Sequence, residues 1–237
     1  MRNLSKKRKV AMLFTVAVLM PLLLFIFFKG GNRNYTPYCI ASLLLSMLPF
    51  IFIFDKRRPQ AKEFIVVFIM TAIAVAARAA FIAVPHFKPM FAVIMITAAA
   101  LGPETGLLCG AMSALFSNFI FGQGPWTPWQ MYAYGAGGLL FGLIFYFVKD
   151  KNPLVMALTG ALITFAFVGF ILDTSAIATM SNMIDASKIW PVYRSGIPVN
   201  LVHAASCFLL MFFLSRTILE KLERLKVKYG LMQEDEF

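Results

Sequence analysis

Glu63-Phe-Ile-Val-Val-Phe-Ile-Met-Thr-Ala-Ile-Ala-Val-Ala-Ala-Arg78-Ala-Ala-Phe-Ile-Ala-Val84 decides the fold. Past the edge residue Glu63, Arg78 is the only charge in it. A helix of about 20 predominantly apolar residues crosses a bilayer, and this run is long enough. Comparable runs recur from end to end, and the sequence predicts eight spans: 10–28, 38–54, 63–84, 90–102, 105–121, 129–148, 153–172 and 197–219. Composition agrees. The 237 residues are 60% hydrophobic, with a mean hydropathy of +0.77 and 14% charged residues, against roughly 25% charged in soluble domains. The expected fold class is an all-α, polytopic helical membrane protein.

The first segment reads as a span and not as a cleaved signal. It is long, is followed by Lys29 and Tyr38 where a small-residue cleavage site would stand, and a second span comes soon after. Cys39, Cys109 and Cys207 are scattered in apolar contexts and read as packing residues. The net charge of +11 is explained by its distribution. With a cytoplasmic N-terminus, the inner segments hold 16 Lys and Arg and the outer segments hold five. The inner set is Arg2, Lys6, Lys7, Arg8, Lys9, Lys56, Arg57, Arg58, Lys62, Lys149, Lys151, Arg216, Lys221, Arg224, Lys226 and Lys228. The outer set is Lys29, Arg33, Lys88, Lys188 and Arg194. This is the positive-inside pattern. It predicts a plasma-membrane protein with both termini cytoplasmic, inner basic residues beside anionic lipid, and no nucleic-acid partner.

The span 90–102 is only about 20 Å long at 1.5 Å per residue, short of the roughly 30 Å hydrocarbon core. Either its helix starts near Phe87 or the Pro85–Pro89 loop dips into the membrane. Three unusual segments fall on the outer side: Pro85–Pro89, Gly122–Trp129 and Asp173–Gly196. The second is the richest. Phe121-Gly-Gln-Gly-Pro-Trp-Thr-Pro-Trp-Gln-Met131 offers flat apolar faces and hydrogen-bonding edges to a ligand. Thr127-Pro-Trp-Gln130 has a helix-start pattern, with Thr at the N-cap, Pro at the first helical position and Gln at the third. Trp126 and Trp129 read either as an aromatic belt at the bilayer surface or as walls of a binding site.

Other polar residues stand at outer span ends. These are Arg78, Lys88, Gln123, Gln130, Asn118, Asp173, Asn200 and His203, the last two sharing a helix face at three-residue spacing. Polar groups in spans are costly, which makes them functional candidates. Snorkelling of Arg78, interhelical hydrogen bonding by Asn118 and Asn200, a packed His203, and a plain surface role for His86 and Lys88 are the competing structural readings. Ala72, Ala76 and Ala80 form a stripe on which another helix can approach closely, or else an internal packing face. Gly106/Gly110 and Gly138/Gly142 repeat the spacing and read as internal contacts. No nucleotide loop, His-Glu-x-x-His or nucleophile-and-base arrangement is present. Two histidines and three separate cysteines form no metal set. The chain therefore reads as a non-enzyme without a cofactor.

Phe87-Lys-Pro89, Gly102-Pro-Glu-Thr-Gly106 and Ser117–Met131 resemble the substrate-binding membrane subunit (S component) of energy-coupling factor (ECF) transporters, and Gly196-Ile-Pro-Val-Asn-Leu-Val-His203 resembles the start of that family's last helix. The resemblance covers about residues 63–219, the size of the family's six-helix core. It implies three regions: 1–62 with two extra transmembrane helices, the 63–219 binding core, and a charged cytoplasmic tail over 220–237. It also implies capture of a vitamin-like nutrient from outside. The partners would be a transmembrane coupling subunit, docked on Ala72, Ala76 and Ala80, and two cytoplasmic ATPase subunits. The Trp-rich loop looks most like members associated with cobalamin, the first choice of ligand. A secondary carrier or membrane receptor without an ATPase module is the alternative. An intramembrane enzyme is a remote third, opposed by the missing catalytic set.

Overall fold

A long apolar run can satisfy its backbone in lipid only as a helix, and the described part of the chain is mostly helical. The structure, a computed structural model, describes residues 10, 13–30, 34–51, 61–148, 150–180 and 186–231. Arg2, Lys6, Lys7, Arg8, Lys9, Arg33, Lys56, Arg57, Arg58 and Lys149 of the charge pattern lie outside the described residues.

Among the described residues there are eight helices. They are α1 (Thr15–Lys29, opening on a π-helical turn), α2 (Thr36–Ile51), α3 (Ala61–Ala80), α4 (Met90–Leu101), α5 (Pro103–Phe121), α6 (Thr127–Phe147), α7 and α8. Helix α7 runs through Pro153–Leu162, a π-helical stretch Ile163–Val168 and Gly169–Met180; α8 is Ala186–Tyr229. Four of them are long and apolar enough to cross a membrane: Lys62–Ala80, Pro103–Phe121, Pro153–Thr179 and Ile189–Tyr229. Thr15–Lys29, Thr36–Leu48 and Met90–Leu101 are apolar but shorter. The eight expected spans thus correspond to eight helices, half of which meet the length and hydropathy of a full crossing.

Helix α4 is the centre. Every residue in it except Ala99 is buried, as expected of a helix apolar on all sides. It touches α3, α5, α6 and α8. It begins at Met90, not near Phe87, and Pro89 ahead of it is already buried. The loop end therefore enters the protein, which accounts for the short helix. The inner connection expected over Gly102–Thr105 shrinks to Gly102 alone. Its φ of 121° is open to glycine, and Pro103 starts α5 at once.

Helices α5 and α6 make the most extensive contact. A Cβ on Gly138 would stand 2.7 Å from the Gly106 carbonyl oxygen, so the two backbones touch where the sequence spaces its glycines by four. Helices α1 and α2, the additions to the core, pack mainly against each other, α5 and α6.

Three expected boundaries move. Helix α3 ends at Ala80, not Val84, which puts Arg78 in its last turn. The outer segment Asp173–Gly196 is helical on both sides of residues 181–185, which lie outside the described residues. Helix α8 carries Pro191 and Pro198 within it and continues to Tyr229, into the segment expected as a tail.

The two ends of the bundle differ. At one end Lys62 lies 5.7 Å from the Tyr229 ring centroid and Lys151 pairs with Glu223 at 2.9 Å. This basic end gathers the starts of α3 and α7 and the finish of α8. At the other, the loop end, meet the finish of α3 and α5 and the starts of α4 and α6.

Candidate functional site at the loop end

Arg78 and Asn118 form the hub. Arg78 is 7% exposed and Asn118 1%, so each must find partners inside the protein. Arg78 Nη1 donates to Ser117 Oγ at 2.5 Å and to Asn118 Oδ1 at 3.0 Å. Its guanidinium lies over the Phe121 ring, 4.2 Å from the centroid, a cation–π arrangement. Asn118 Nδ2 donates to Thr127 Oγ1 at 3.1 Å and Gln130 Oε1 at 2.9 Å. This arginine does not snorkel.

The loop after α5 is folded onto that hub. Gly122 ends α5 with φ 101°. Gln123 Nε2 donates to the Leu115 carbonyl at 2.9 Å, and its Oε1 accepts from Thr127 Oγ1 at 3.0 Å. The Gly124 N–H donates to Thr127 Oγ1 at 3.2 Å. The expected reciprocal cap between Thr127 and Gln130 does not form. The helix begins with Trp126 as N-cap, and both side chains accept from the buried Asn118 amide instead.

A second group lies beside the first. Lys88 donates its backbone N–H to Ser206 Oγ at 3.2 Å, and Ser206 Oγ donates to the His203 carbonyl at 2.7 Å. The His203 ring stands 5.7 Å from Phe91 and 6.3 Å from His86, and Phe91 meets Tyr134 edge-on at 4.9 Å. Burial, and then the Arg78 charge, pull the Lys88 ammonium down to about 8. Arg78 Nε, Tyr134 Oη and His203 Nε2 are buried with no hydrogen-bond partner among the described residues.

Asp173 and Asn200 form a third group. Asn200 Nδ2 donates to Asp173 Oδ2 at 2.8 Å. Gly169, just after the π-helical stretch, and Gly196 leave the room these side chains fill. Asn200 turns to α7 while His203 turns to α4, so their shared spacing does not make one site. A cavity of about 430 Å³ lies along α7 and α8, lined by Phe170, Asp173, Trp190, Tyr193, Arg194 and Asn200 among others.

The two tryptophans separate. Trp126 is 41% exposed and lies over Gly124, where a Cβ would collide with the indole. Trp129 lines a different cavity of about 470 Å³ with α1 and α7, alongside Pro21, Leu24, Tyr132, Phe167 and Phe170. Its Nε1 is buried without a partner among the described residues. Ala72, Ala76 and Ala80 are exposed on the face of α3 that also carries Ile65, Ile69 and Ile73, so the stripe is not an internal packing face.

Ser117, Phe121, Tyr134 and Ser206 join the site without having been singled out. Tyr134 carried a signal: Thr127, Gln130 and Tyr134 fall at i, i+3 and i+7, one face of α6. Ser206 carried none.

A helical bundle with four helices long and apolar enough to cross a membrane, and a buried polar cluster at one end, has the architecture of a multi-pass membrane protein. The sequence model of the family described as ECF-type riboflavin transporter, S component, matches residues 59–221, and the chain belongs to that family. It is a substrate-binding transporter subunit, not an enzyme, in a class that acts with a transmembrane coupling subunit and ATPases. No curated protein matches, and no solved structure matches. The matched family is the riboflavin type, and cobalamin receives no support from it.

Proposed function

We propose that this protein captures riboflavin or a close flavin relative from outside the cell and hands it to an ECF coupling module. The observation that carries the reading is the family match over 59–221. The site chemistry supports it. A flavin has a flat ring edged with hydrogen-bonding atoms and a polyhydroxyl chain. Mostly apolar pockets with a few orienting polar groups hold such ligands. Arg78, Asn118, Gln130, Lys88 and His203 supply donors and acceptors at the loop end, with Gln123 bracing the loop. Trp126 and Trp129 supply aromatic surface, and Asp173 and Asn200 border the neighbouring cavity.

The loop end faces outward in this reading, because the basic end then meets the cytoplasm. Ala72, Ala76 and Ala80 are the docking stripe for the coupling subunit, supported by their exposure on α3. Helices α1 and α2 pack against α5 and α6.

The test is isolation from the native membrane, with bound small molecules and co-purifying chains identified by mass spectrometry. A flavin together with a coupling subunit and two ATPases is the expected result. Another vitamin in its place, or a carrier free of any ATPase, overturns the proposal.

A further inference from the structure

The cavity beside Trp129 stands apart from the polar groups of the loop end. It lies between α1, α6 and α7 and measures about 470 Å³. Helix α1, an addition to the core, meets α6 only narrowly and α7 still less, so the cavity is what separates them. Leu24, Ile171 and Ala178 make a buried floor, and Phe25 and Phe170 an exposed rim. The lining is almost wholly hydrocarbon and aromatic ring. Its Thr174 hydroxyl is engaged, donating to the Phe170 carbonyl at 2.7 Å and lying 2.8 Å from Tyr193 Oη. Trp129 Nε1 is itself buried, so the indole offers the cavity its ring. Of the lining residues, only Phe170 also borders the cavity between α7 and α8.

We infer that this cavity seats one acyl chain of a membrane phospholipid, entering between Phe25 and Phe170 from the leaflet at the loop end, and that the chain fastens α1 to the core. Water is a poor occupant, because it needs about two to four polar partners. The hydrogen-bonding edge of a flavin would go unmatched there. The volume is about that of one helical turn with its side chains, so no further helix enters. Hydrocarbon fits, and the surroundings supply it. Helix α7 is long and apolar enough to cross a membrane, and the cavity flanks its second half. Leu22 and Ile26 stand exposed beside the rim residue Phe25, as on a surface that meets lipid. Left empty, the walls would lose dispersion contacts, the main force that joins helices within a bilayer. A seated chain replaces the contact that α1 and α7 do not make directly. Trp129 and Tyr132 lie in the first two turns of α6, the depth at which Trp and Tyr gather beneath headgroups. The lipid ester therefore stays beside them while its tail runs along α7.

The experiment uses the full chain with Trp126→Phe and Trp190→Phe, which leaves Trp129 as its single tryptophan. The protein, in neutral detergent, is titrated with a phosphatidylcholine whose acyl chain carries bromine, a contact quencher of indole fluorescence. Trp129 emission should fall and saturate at about one lipid per chain. Ala178→Phe, which puts a ring on the cavity floor, should raise the half-saturating lipid concentration by about tenfold or more. Leu22→Phe, on α1 but outside the lining, should leave it unchanged. If Ala178→Phe does not unfold cooperatively, Ile177→Phe, also in the lining, decides in its place. Quenching that rises with the lipid-to-detergent ratio without saturating overturns the inference. So does a half-saturation point that the floor variant does not move. Recovery of the emission on adding equimolar riboflavin assigns the cavity to the solute and also overturns it. Mass spectrometry of the parent protein, released intact from its native membrane, should show a retained phospholipid; an isoprenoid or a free fatty acid in its place overturns the phospholipid assignment.

Discussion

Replacing Asn118 by Leu removes three hydrogen bonds at similar volume and tests whether the Arg78–Asn118 hub holds the loop end together. The losses are unequal. Thr127 keeps Gln123 and the Gly124 N–H as partners. Gln130 is half-buried and can turn to water. Arg78 cannot: it would retain Ser117 alone while Nε is already without a partner. A hydrogen bond to a charged group contributes about 1.5–3 kcal/mol, and a neutral one about 1 kcal/mol. The expected cost is therefore about 2–4 kcal/mol. In a chain of this size each kcal/mol moves the melting temperature by roughly 2–4 °C, so Asn118→Leu should unfold about 5–15 °C below the parent. Fluorescence-monitored thermal unfolding in detergent reads this directly. Asn118→Asp should lose less, because the carboxylate still accepts from Arg78. A Leu variant that melts within about 2 °C of the parent would refute the hub. So would an Asp variant less stable than the Leu variant.

Ala76→Trp should abolish uptake while ligand binding by the isolated protein survives, since bulk on the exposed face of α3 blocks a helix from approaching; parallel uptake and binding assays check it. With the three native cysteines replaced, Gln123→Cys should react with an impermeant reagent added to intact cells, and Lys226→Cys should react only after the membrane is opened. Raising the pH from about 7 to about 9 should weaken riboflavin binding by roughly tenfold as the Lys88 ammonium donor is lost. Lys88 gives up its proton at about 8; Arg78 on α3, His86, His203 on α8 and Tyr134 on α6 are the titratable groups around it. Titration across that range, with Lys88→Gln as the flat control, measures it.

Most helices could be read from the sequence because a bilayer demands long apolar runs. The 22 residues from Glu63 to Val84 needed no other argument. Helix ends were harder. Pro191 and Pro198 normally stop a helix in water, yet α8 passes through both, as neighbouring helices in a membrane bundle permit. The π-helical stretch before Gly169 left no mark in composition, and neither did the close approach of Asn200 to Gly169. Asn118 and Arg78 were visible as costly polar residues in apolar spans. Their pairing across 40 positions was not, nor was that of Lys88 with Ser206 across 118, because helix-to-helix register depends on packing. The separation of the two tryptophans was not legible either. Trp126 stands in the turn before α6 and folds back on Gly124, while Trp129 lines the cavity with α1 and α7.

Side-by-side titration of riboflavin and cobalamin into the purified parent protein tests the central claim most directly. The account predicts saturable one-to-one binding of riboflavin with a dissociation constant of about micromolar or tighter, corresponding to roughly 8 kcal/mol or more, and no heat from cobalamin. Cobalamin binding without riboflavin binding, in protein that unfolds cooperatively, would contradict it.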